Sequence, residues 1–495
     1  MKIKIKIQFL LLLAVPGLAI AQNTPQSQSQ ALEFTHVTII DATGAPAKSD
    51  MSVVVTGNRI TEIGKKVRAP QDAKVVDATG KFMIPGLWDM HIHIHRHDEN
   101  VLLLANGVTG IRLMGGIPEY HKMQKQIESG DILGPRYTIA SRLMDGVDPT
   151  GKKLPVPADD DAAGLAEEWL AMNRGGLPRA FQVETSAQAQ YAVARSKADG
   201  SEFIKIHDDL SREGYLNLVA ESKKQGFIFV GHVPDGISAE EASDMGQKSI
   251  EHLRGVLLSS STREAELRKA TLEALELPAD QRAKRLLEIQ RMTVDSFSVD
   301  KASALVATFV KNHTWQCPTL MPEGGLKDQI ARNADLMKYL PVDLRARWQQ
   351  QASAARQPSS EEQEVSKKGN DELRQVVFMM QRAGVGIMSG EDVGGPGKWA
   401  GFSLHANLAE EAAAGLTPMQ VLQTATINSA RFMGKEKDLG TVQKGKLADL
   451  VLLDADPLQN IGNAQKINAV IVNGRLLDRQ TLDKMLDDVV ANNSH

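Results

Sequence analysis

Residues 85–95 read Pro85-Gly86-Leu87-Trp88-Asp89-Met90-His91-Ile92-His93-Ile94-His95, with apolar residues alternating with imidazoles behind a Pro-Gly turn. Successive side chains of a β-strand point to opposite faces, so His91 and His93 project together while Ile92 and Ile94 pack on the other face. Two neutral imidazoles side by side can clamp a metal ion. Because the motif is short, incidental histidines on a surface strand are an equally simple interpretation, and the metal interpretation requires further ligands elsewhere.

Downstream of this strand, short apolar stretches alternate with helical segments, which is the pattern of parallel β/α units. Eight strand candidates follow one another at residues 87–94, 108–114, 137–143, 203–207, 227–233, 249–253, 314–320 and 385–389. Eight such units close most economically into an α/β TIM (β/α)8 barrel, which we predict for residues 85–437. Long insertions at 145–200, 262–312 and 321–383 are expected to build the walls of a substrate pocket.

The two flanks of the barrel have a different pattern, with short alternating strands separated by turns. Residues 34–84 and 438–480 both show it, and together they predict one small β-sandwich domain assembled from both termini. Residues 481–495 are predicted to form a C-terminal tail.

The N-terminus resembles an export signal. Three lysines lie within the first six residues, an apolar run follows from Phe9 to Leu18, and Ala19-Ile20-Ala21 is a small-x-small cleavage site. We predict a signal peptide at residues 1–21 with cleavage after Ala21, and therefore a periplasmic or secreted protein. The apolar run is shorter than the roughly 20 residues of a bilayer span, so no span is expected in the mature protein. The Gln- and Ser-rich residues 22–33 predict a flexible mature N-terminus.

The composition is that of an ordinary globular protein, with 495 residues, 42% hydrophobic and 24% charged. The formal net charge is −4 and there is no basic patch, so no nucleic-acid partner is expected. The single cysteine, Cys317, allows no internal disulfide and is predicted to be a buried strand thiol. The expected partner is a small-molecule substrate, and the sequence leaves homo-oligomerisation open.

Lys205 is an unusual residue for the fourth predicted strand. It lies between Ile204 and Ile206, so the alternation of side chains directs it into the barrel. A protonated lysine repels cations, but a lysine carbamylated by carbon dioxide is a carboxylate that can bridge two of them, provided that burial lowers its pKa. Without other ligands, Lys205 would instead pair with Asp208 or Asp209.

Other candidate ligands also lie at strand ends, which converge on one site in a TIM barrel. His232 ends the fifth strand, His252 ends the sixth, and Asp392 follows the eighth. Asp392 alone could be a helix N-cap, and one histidine alone could be a core residue. The predicted metal ligands are His91, His93, Lys205, His232, His252 and Asp392.

This set fits two divalent ions, with zinc as the first choice and manganese, cobalt or iron left open. His91 and His93 would bind one ion, His232 and His252 the other, and the Lys205 carbamate with a hydroxide would lie between them. Such ions lower the pKa of the bridging water and polarise a carbonyl, so attack on an amide becomes feasible near neutral pH. Asp392 is the predicted catalytic residue, as general base and then general acid.

The motifs that carry these residues, taken in order, resemble the amidohydrolase superfamily of metal-dependent hydrolases. They are Pro85 to His93, Asn106-Gly107-Val108-Thr109, Gly134-Pro135-Arg136, Phe203 to Ile206, Gly231-His232-Val233-Pro234, Ser249 to His252, Gly390-Glu391-Asp392, Ala425 to Arg431 and Gly445 to Leu450. The likeness is to the secreted branch related to imidazolonepropionase and to prolidase-like and Xaa-Arg/Lys dipeptidases. It implies a TIM barrel, a small β-sandwich from both termini, a carbamylated lysine and hydrolysis of amide bonds.

The chain departs from that pattern at three positions. The family usually has Thr where Glu391 stands, an Asp after the arginine where Leu113 stands, and often Glu where Asn407 stands. The six ligand positions match.

Several polar residues outside the ligand set are candidates for contact with substrate. His207 shares a strand face with Lys205, and Arg112, Arg142 and Arg254 follow strands two, three and six, where one of them could grip a substrate carboxylate. We predict His207, Arg142 and Arg112 as substrate-binding residues. His95 and His97 continue the alternation beyond the first strand and are predicted at the pocket rim.

The function predicted from the sequence is hydrolysis of a carbon–nitrogen amide bond, in a dipeptide or an N-acyl amino acid, by a metal-bridging hydroxide. Hydrolysis of a lactone, carbamate or phosphotriester on the same site is the alternative, because the same hydroxide attacks all of these. A catalytically silent binding protein that kept the barrel is a third hypothesis.

Overall fold

The structure is a computed structural model that describes residues 30–147, 155–156, 162–173 and 178–494. The predicted signal peptide lies outside the described residues, as does most of the predicted flexible N-terminus. Within the described ranges, no helix combines the length and the hydropathy needed to cross a membrane.

A parallel sheet of the central chain forms the barrel. Its strands are β6 (Leu87–Ile92), β7 (Val108–Leu113), β8 (Arg136–Asp145), β9 (Phe181–Gln182), β10 (Phe203–Ile206), β11 (Phe229–Gly231), β12 (Ser249–Glu251) and β13 (Trp315–Cys317). Seven of them are neighbours in the order β6-β7-β8-β10-β11-β12-β13, and β9 pairs with β8. Strands β6, β7, β10 and β12 are buried on both faces, so the charged residues within them, Asp89, Arg112, Lys205 and Glu251, lie in the interior of the protein.

The eighth predicted strand closes the ring through short bridges. On one side, Gln316 exchanges backbone hydrogen bonds of 2.9 Å with Gly386 and Met388. On the other side, the N–H of Met90 donates to Ser389 O at 2.9 Å and the N–H of Asp392 donates to His91 O at 2.7 Å. The prediction of a TIM barrel is therefore confirmed, with the eighth position occupied by a less regular segment than the other seven.

Helices cover the barrel between its strands. They are α1 (Glu99–Ala105), α2 (Pro118–Ser129), α3 (Ala162–Asn173), α4 (Ser186–Ala198), α5 (Arg212–Lys224), α6 (Ala239–Asp244), α7 (Val256–Ser259), α8 (Glu264–Leu275), α9 (Ala279–Asp295), α10 (Val299–Asn312), α11 (Leu326–Arg332), α12 (Val342–Ala354), α13 (Ser360–Ala383), α14 (Phe402–Ala413), α15 (Pro418–Thr424) and α16 (Ile427–Phe432), with a 3-10 helix at Ala334–Tyr339. The insertion that contains α11 to α13 packs Trp348 against Trp399, with ring centroids 5.2 Å apart. It therefore lies beside the loop that follows the eighth strand segment.

Both ends of the chain contribute to a separate β-rich domain, and its division into the two layers of a sandwich stays a prediction. Its strands are β1 (Leu32–Ile39), β2 (Lys48–Thr56), β3 (Arg59–Gly64), β4 (Lys74–Asp77), β5 (Phe82–Pro85), β14 (Leu450–Leu453), β15 (Ile467–Val472) and β16 (Arg475–Asp478), with a 3-10 helix at Ile461–Gln465. They form one sheet in the order β16-β15-β14-β5-β1-β2-β3, with β4 beside β1. The two ends of the chain meet where β14 runs antiparallel to β5, with Val451 opposite Ile84. Phe34, Met83 and Leu450 are among the buried residues of its core.

The stretch predicted as a C-terminal tail contains a helix, α17 (Arg479–Asn492). Leu482 and Val489 on this helix are buried. Just beyond it, Asn493 Nδ2 donates to Asp98 Oδ2 at 2.7 Å and to Tyr339 O at 3.1 Å. The end of the chain thus links the loop after β6 to the third insertion.

Candidate metal centre

The predicted ligands come together at the carboxyl ends of the barrel strands. Asp392 Oδ1 lies 3.5 Å from His91 Nε2 and 3.4 Å from His93 Nε2. The His252 ring lies between those of His91 and His232, with centroid distances of 4.4 Å and 4.8 Å. These residues therefore line one site, although the first and last of them, His91 and Asp392, are 301 positions apart in the sequence.

Three ligand atoms at this centre are buried and have no hydrogen-bond partner among the described residues. They are His91 Nε2, Lys205 Nζ and His232 Nε2. An unsatisfied buried polar atom costs about 1–3 kcal/mol, so native proteins rarely leave several in one place without a ligand. Imidazole nitrogens and a lysine that can become a carbamate suit divalent cations. The residues present therefore fit a metal centre.

Lys205 is fully buried on β10. Burial lowers the pKa of its amine to about 8, although the charges of Glu251, Asp392 and Asp208 oppose the shift. The neutral amine, which is the form that reacts with carbon dioxide, is therefore much more populated near neutral pH than in an ordinary lysine. Because Nζ has no partner among the described residues, the pairing with Asp208 or Asp209 is not formed.

In His91 and His232, the ring nitrogen that does not face the centre is held by a carboxylate. Nδ1 of His91 lies 2.8 Å from Glu251 Oε2, and Nδ1 of His232 lies 2.7 Å from Asp208 Oδ1. Burial, and next the charge of Lys205, lowers the pKa of both imidazoles well below the usual value, so both are neutral at pH 7. A neutral ring that donates from Nδ1 presents the lone pair of Nε2, and these carboxylates thereby fix the tautomer that binds metal.

His252 is held in a similar way by a hydroxyl group, because its Nδ1 lies 2.7 Å from Thr319 Oγ1. His207 lies beside the centre, with its ring centroid 4.7 Å from that of His232 and its Nδ1 3.0 Å from Asp145 Oδ2. The ligand atoms of His207, Asp208 and His232 lie within 4.8 Å of one another. Because Asp208 already accepts from His232 Nδ1, we assign this group to support of His232 rather than to a separate ion.

Arg112 does not lie where a substrate could reach it, which corrects its predicted role. Its side chain is 0% exposed, and Nη2 donates to Glu251 Oε2 at 2.8 Å. Ser249 Oγ donates to the other oxygen of the same carboxylate at 2.5 Å. The β7 arginine thus supports Glu251, which in turn holds His91.

Arg142 is also sealed away from the centre, which is a second correction. Its Nη1 lies 2.6 Å and 2.7 Å from the two carboxylate oxygens of Glu168, and both side chains are buried. This ion pair joins β8 to α3. The sequence placed Arg142 near a strand end, but only the packing shows that Glu168 of α3 already neutralises its charge.

The side-chain carboxyl group of Asp392 is ionised at neutral pH. Burial alone would raise its pKa, but the hydrogen bond from His93 and the charges of His91 and Lys398 lower the pKa well below the usual range. Its backbone is left-handed, with φ of 57°, a conformation that costs a non-glycine residue about 1–3 kcal/mol and that recurs at functional sites. Lys398, which the sequence did not single out, lies with Nζ 3.3 Å from Asp392 Oδ2.

The histidines after β6 lie beside the same loop. His95 Nε2 is 3.2 Å from the carbonyl oxygen of Gly394, two residues beyond Asp392, and burial lowers its pKa to about 4. The ring of His97 packs edge-on against Trp169, with centroids 5.5 Å apart. Both residues thus contact segments other than the predicted ligands, and their placement at the pocket rim stays a prediction.

Glu391, one of the three departures, forms a buried pair of carboxyl groups with Asp89. Asp89 Oδ1 accepts the N–H of His91 at 3.0 Å, and Glu391 Oε1 accepts the N–H of Gly401 at 3.2 Å. Burial raises the pKa of Asp89 to about 7, and burial together with the charge of Asp89 raises the pKa of Glu391 well above its usual value. Burial and the neighbouring carboxyl group therefore favour the neutral form of Glu391 at pH 7.

We expect Glu391→Gln to flatten the pH dependence of stability of the metal-free protein. The folded-state pKa of Glu391 is raised, so above pH 4.5 the folded state binds more protons than the unfolded state, and the free energy of unfolding falls as pH increases. Glutamine removes this group, so the wild type should lose up to about 1.4 kcal/mol per pH unit more than the variant between pH 5 and 7. Denaturant unfolding at several pH values measures this. Parallel curves would contradict it, and exposed Glu364→Gln is the control.

Glu251→Gln should weaken metal binding by about 10- to 100-fold, the usual effect of removing a carboxylate that orients a ligating histidine. The change leaves the buried Arg112 without its counter-charge, so the free energy of unfolding should also fall by about 3–5 kcal/mol. Competition with a chromophoric chelator measures the metal affinity, and denaturant unfolding measures stability. Glu266→Gln, in an exposed ion pair with Arg263, is the matched control. Unchanged metal affinity would show that Glu251 does not orient His91.

Three curated relatives match short parts of the chain. The dihydroorotase of Geotalea daltonii is 48% identical over 73 residues, 13% of this chain and 17% of that protein. The dihydroorotase of Geobacter sulfurreducens is 40% identical over 179 residues, 34% of this chain and 41% of that protein. The imidazolonepropionase of Shouchella clausii is 44% identical over 55 residues, 11% of this chain and 12% of that protein. Each match spans less than half of the relative's length.

Solved structures share the fold over most of their length. Bottromycin amidohydrolase is similar with a TM-score of 0.68 at 22% identity, covering 94% of this chain and 92% of that chain. A Xaa-Pro dipeptidase with bound methionine has a TM-score of 0.59 at 19% identity, covering 91% and 100%. Phenylurea hydrolase B has a TM-score of 0.62 at 18% identity, covering 92% and 98%.

The match to a family as a whole is much longer than the matches to single relatives. The sequence model of the Amidohydrolase family covers residues 82–477, which include every barrel strand from β6 to the eighth segment. All six predicted ligand positions fall within this range. On these grounds the chain belongs to the amidohydrolase family.

Proposed function

We propose that this protein is a metal-dependent hydrolase that cleaves an amide bond in a dipeptide or an N-acyl amino acid. The observation that carries the proposal is a set of buried atoms, His91 Nε2, Lys205 Nζ and His232 Nε2, that have no hydrogen-bond partner in the described part of the chain and lie near the ionised carboxylate of Asp392. The names of two structurally similar proteins, bottromycin amidohydrolase and a Xaa-Pro dipeptidase, are in keeping with an amide or peptide substrate.

Each residue has a distinct task in this proposal. His91 and His93 would hold one divalent ion, His232 and His252 the other, and Lys205 as a carbamate would lie between them. When bound, such ions polarise a substrate carbonyl and lower the pKa of water. Asp392 accepts the proton of the attacking water at Oδ1 and returns it to the nitrogen of the departing amine.

The proposal is tested with purified protein that has been stripped by chelation and then reloaded with zinc, manganese, cobalt or iron. The substrates are a panel of dipeptides and N-acyl amino acids, with lactones, carbamates and phosphotriesters assayed alongside. We expect amide hydrolysis that is lost on chelation and restored on reloading. Turnover of esters or phosphotriesters alone would favour the alternative chemistry, and no turnover with about two metals bound per chain would contradict hydrolysis altogether. Protein that takes up no metal would favour a binding protein.

We also propose that the mature protein is exported, because residues 1–21 have the pattern of a signal peptide. The expected result in a bacterial host is periplasmic or secreted protein whose N-terminal sequence starts at Gln22. Protein that keeps Met1 and stays in the cytoplasm would contradict this.

Size-exclusion chromatography with light scattering of the same preparation measures whether the protein forms a homo-oligomer.

A further inference from the structure

A substrate that is a dipeptide or an N-acyl amino acid carries a free carboxylate beside the scissile amide, so its site needs a cation that solvent can reach. Two of the predicted candidates are already neutralised in the interior, Arg112 by Glu251 and Arg142 by Glu168. Lys398 is 22% exposed and is bound to Asp392. Among the three arginines that follow strands two, three and six, Arg254 alone has a solvent-exposed side chain, at 48%.

The backbone after β12 explains how Arg254 reaches the mouth of the barrel. His252, Leu253 and Gly255 all have left-handed conformations, with φ of 58°, 53° and 74°. Left-handed backbone at two consecutive non-glycine residues is strained and is kept where the site requires it. This turn places the His252 ring beside His91 and, two residues later, the Arg254 guanidinium beside the loop after β10.

There Arg254 Nη2 donates to Asp208 Oδ2 at 3.0 Å, and the other oxygen of Asp208 accepts from His232 Nδ1 at 2.7 Å. A guanidinium has five N–H groups in a planar fork, and this bond uses one of them. Among the described residues this side chain makes no other hydrogen bond, so its remaining N–H groups are open to a carboxylate from solution. The guanidinium is thus separated from a predicted metal ligand by a single carboxylate.

The same sequence of contacts, arginine to carboxylate to imidazole, occurs a second time in Arg112, Glu251 and His91. There the arginine and the carboxylate are both 0% exposed. The two arrangements differ in burial and in the number of bonds that each arginine makes, since Arg112 also donates to Met90 O and to Ser249 Oγ. The buried arginine can serve only to hold its carboxylate, whereas the exposed one can also bind an anion from solution.

A second cation lies near the same group of carboxylates. Burial raises the pKa of Asp235, Arg254 and Arg268 oppose that shift, and the charges of Asp208 and Asp209 add to it. Arg268 donates to the backbone carbonyls of Asp235 and Ile237 and to Glu264, so of these two arginines Arg254 has more N–H groups open to an anion. We therefore propose, on the basis of the proposed function, that Arg254 binds the free carboxylate beside the scissile amide, so that the substrates are dipeptides and N-acyl amino acids with an unblocked C-terminus.

The test compares N-acetyl amino acids with their C-terminal methylamides, using metal-loaded wild type and Arg254→Gln. For the wild type, kcat/KM should be about 100-fold higher for the acids, mainly through KM, since a two-pronged arginine–carboxylate contact is charge-assisted. In Arg254→Gln, hydrolysis of the acids should fall by about 100-fold and that of the methylamides far less, with the same metal content. Arg263→Gln, an exposed arginine paired with Glu266, is the matched control and should behave as wild type.

Three results would overturn the inference. The first is equal kcat/KM of the wild type for acid and methylamide. The second is an equal loss of activity on both substrates in Arg254→Gln, and the third is loss of metal from that variant. Either of the last two would show that Arg254 only positions Asp208. If the wild type hydrolyses neither series, the proposed amide hydrolysis fails, and calorimetric binding of the same compounds then decides the inference. Tighter binding of the acids that disappears in Arg254→Gln supports carboxylate recognition, whereas equal or absent binding overturns it.

Discussion

Lys205→Met is expected to lower kcat/KM by at least about 1000-fold and to leave the centre unable to retain its metal. The lysine amine is buried, has no hydrogen-bond partner among the described residues, and is near enough to His91 and His232 for its charge to lower the pKa of both. Methionine has a similar length but cannot form a carbamate, so the bridging ligand is lost. Metal content by elemental analysis and steady-state kinetics on reloaded protein measure the two effects.

The same substitution should stabilise the metal-free protein. Burial lowers the folded-state pKa of Lys205 from 10.5 to about 8. Below about pH 8 the buried amine is charged, and this buried charge destabilises the folded state. Between pH 8 and 10.5 the unfolded state binds more protons, and the free energy of unfolding of the wild type rises with pH by up to about 1.4 kcal/mol per unit. Lys205→Met lacks this dependence and should be more stable at pH 7.

Denaturant unfolding of the chelated protein from pH 7 to 10 checks this second effect. Exposed Lys311→Met is the control and should change neither metal content nor stability beyond about 0.5 kcal/mol. A Lys205→Met protein that binds metal and turns over as wild type does would disprove the bridging role. A variant that loses stability in the metal-free state would show that the amine has a structural partner.

Asp392→Asn is expected to lower kcat by about 100- to 10,000-fold, the usual contribution of a positioned general acid or base. The amide has the same shape as the carboxylate but cannot take a proton from water. Its Oδ1 position between His91 and His93 is kept, and both imidazoles remain, so metal content should fall much less than activity. Metal analysis and kcat on the same samples separate the two effects.

The control for this variant is Asp300→Asn, an exposed aspartate in the first turn of α10. An Asp392→Asn protein with kcat within about 10-fold of wild type would exclude the residue as the acid/base group. Loss of metal in parallel with activity would instead assign Asp392 chiefly to metal binding. The wild-type pH profile gives a further check, because the pKa of Asp392 is well below its usual value and the base stays ionised down to acidic pH.

The barrel and its ligand positions could be predicted because they depend on local pattern. Alternating residues in β6 set which side chains share a face, and a lysine between two isoleucines in β10 had to point inward. Where the alternation of residues is less regular, the sequence predicted the ends of the strands less accurately. Strands six and seven were predicted to end at residues 253 and 320 but end at Glu251 and Cys317, because His252, Leu253 and Thr319 leave the strand in left-handed conformations.

The sequence by itself thus determined a closed β/α barrel with imidazoles, a lysine and a carboxylate at its strand ends, since strand period and strand order suffice for that. Only the tertiary structure decided which atom of each imidazole faces the centre and which arginine remains accessible. Arg112 and Glu251 are 139 positions apart, and Arg254 and Asp208 are 46 apart. Contacts of that kind depend on how strands and loops pack in three dimensions, and burial then determines whether a charge is available to substrate.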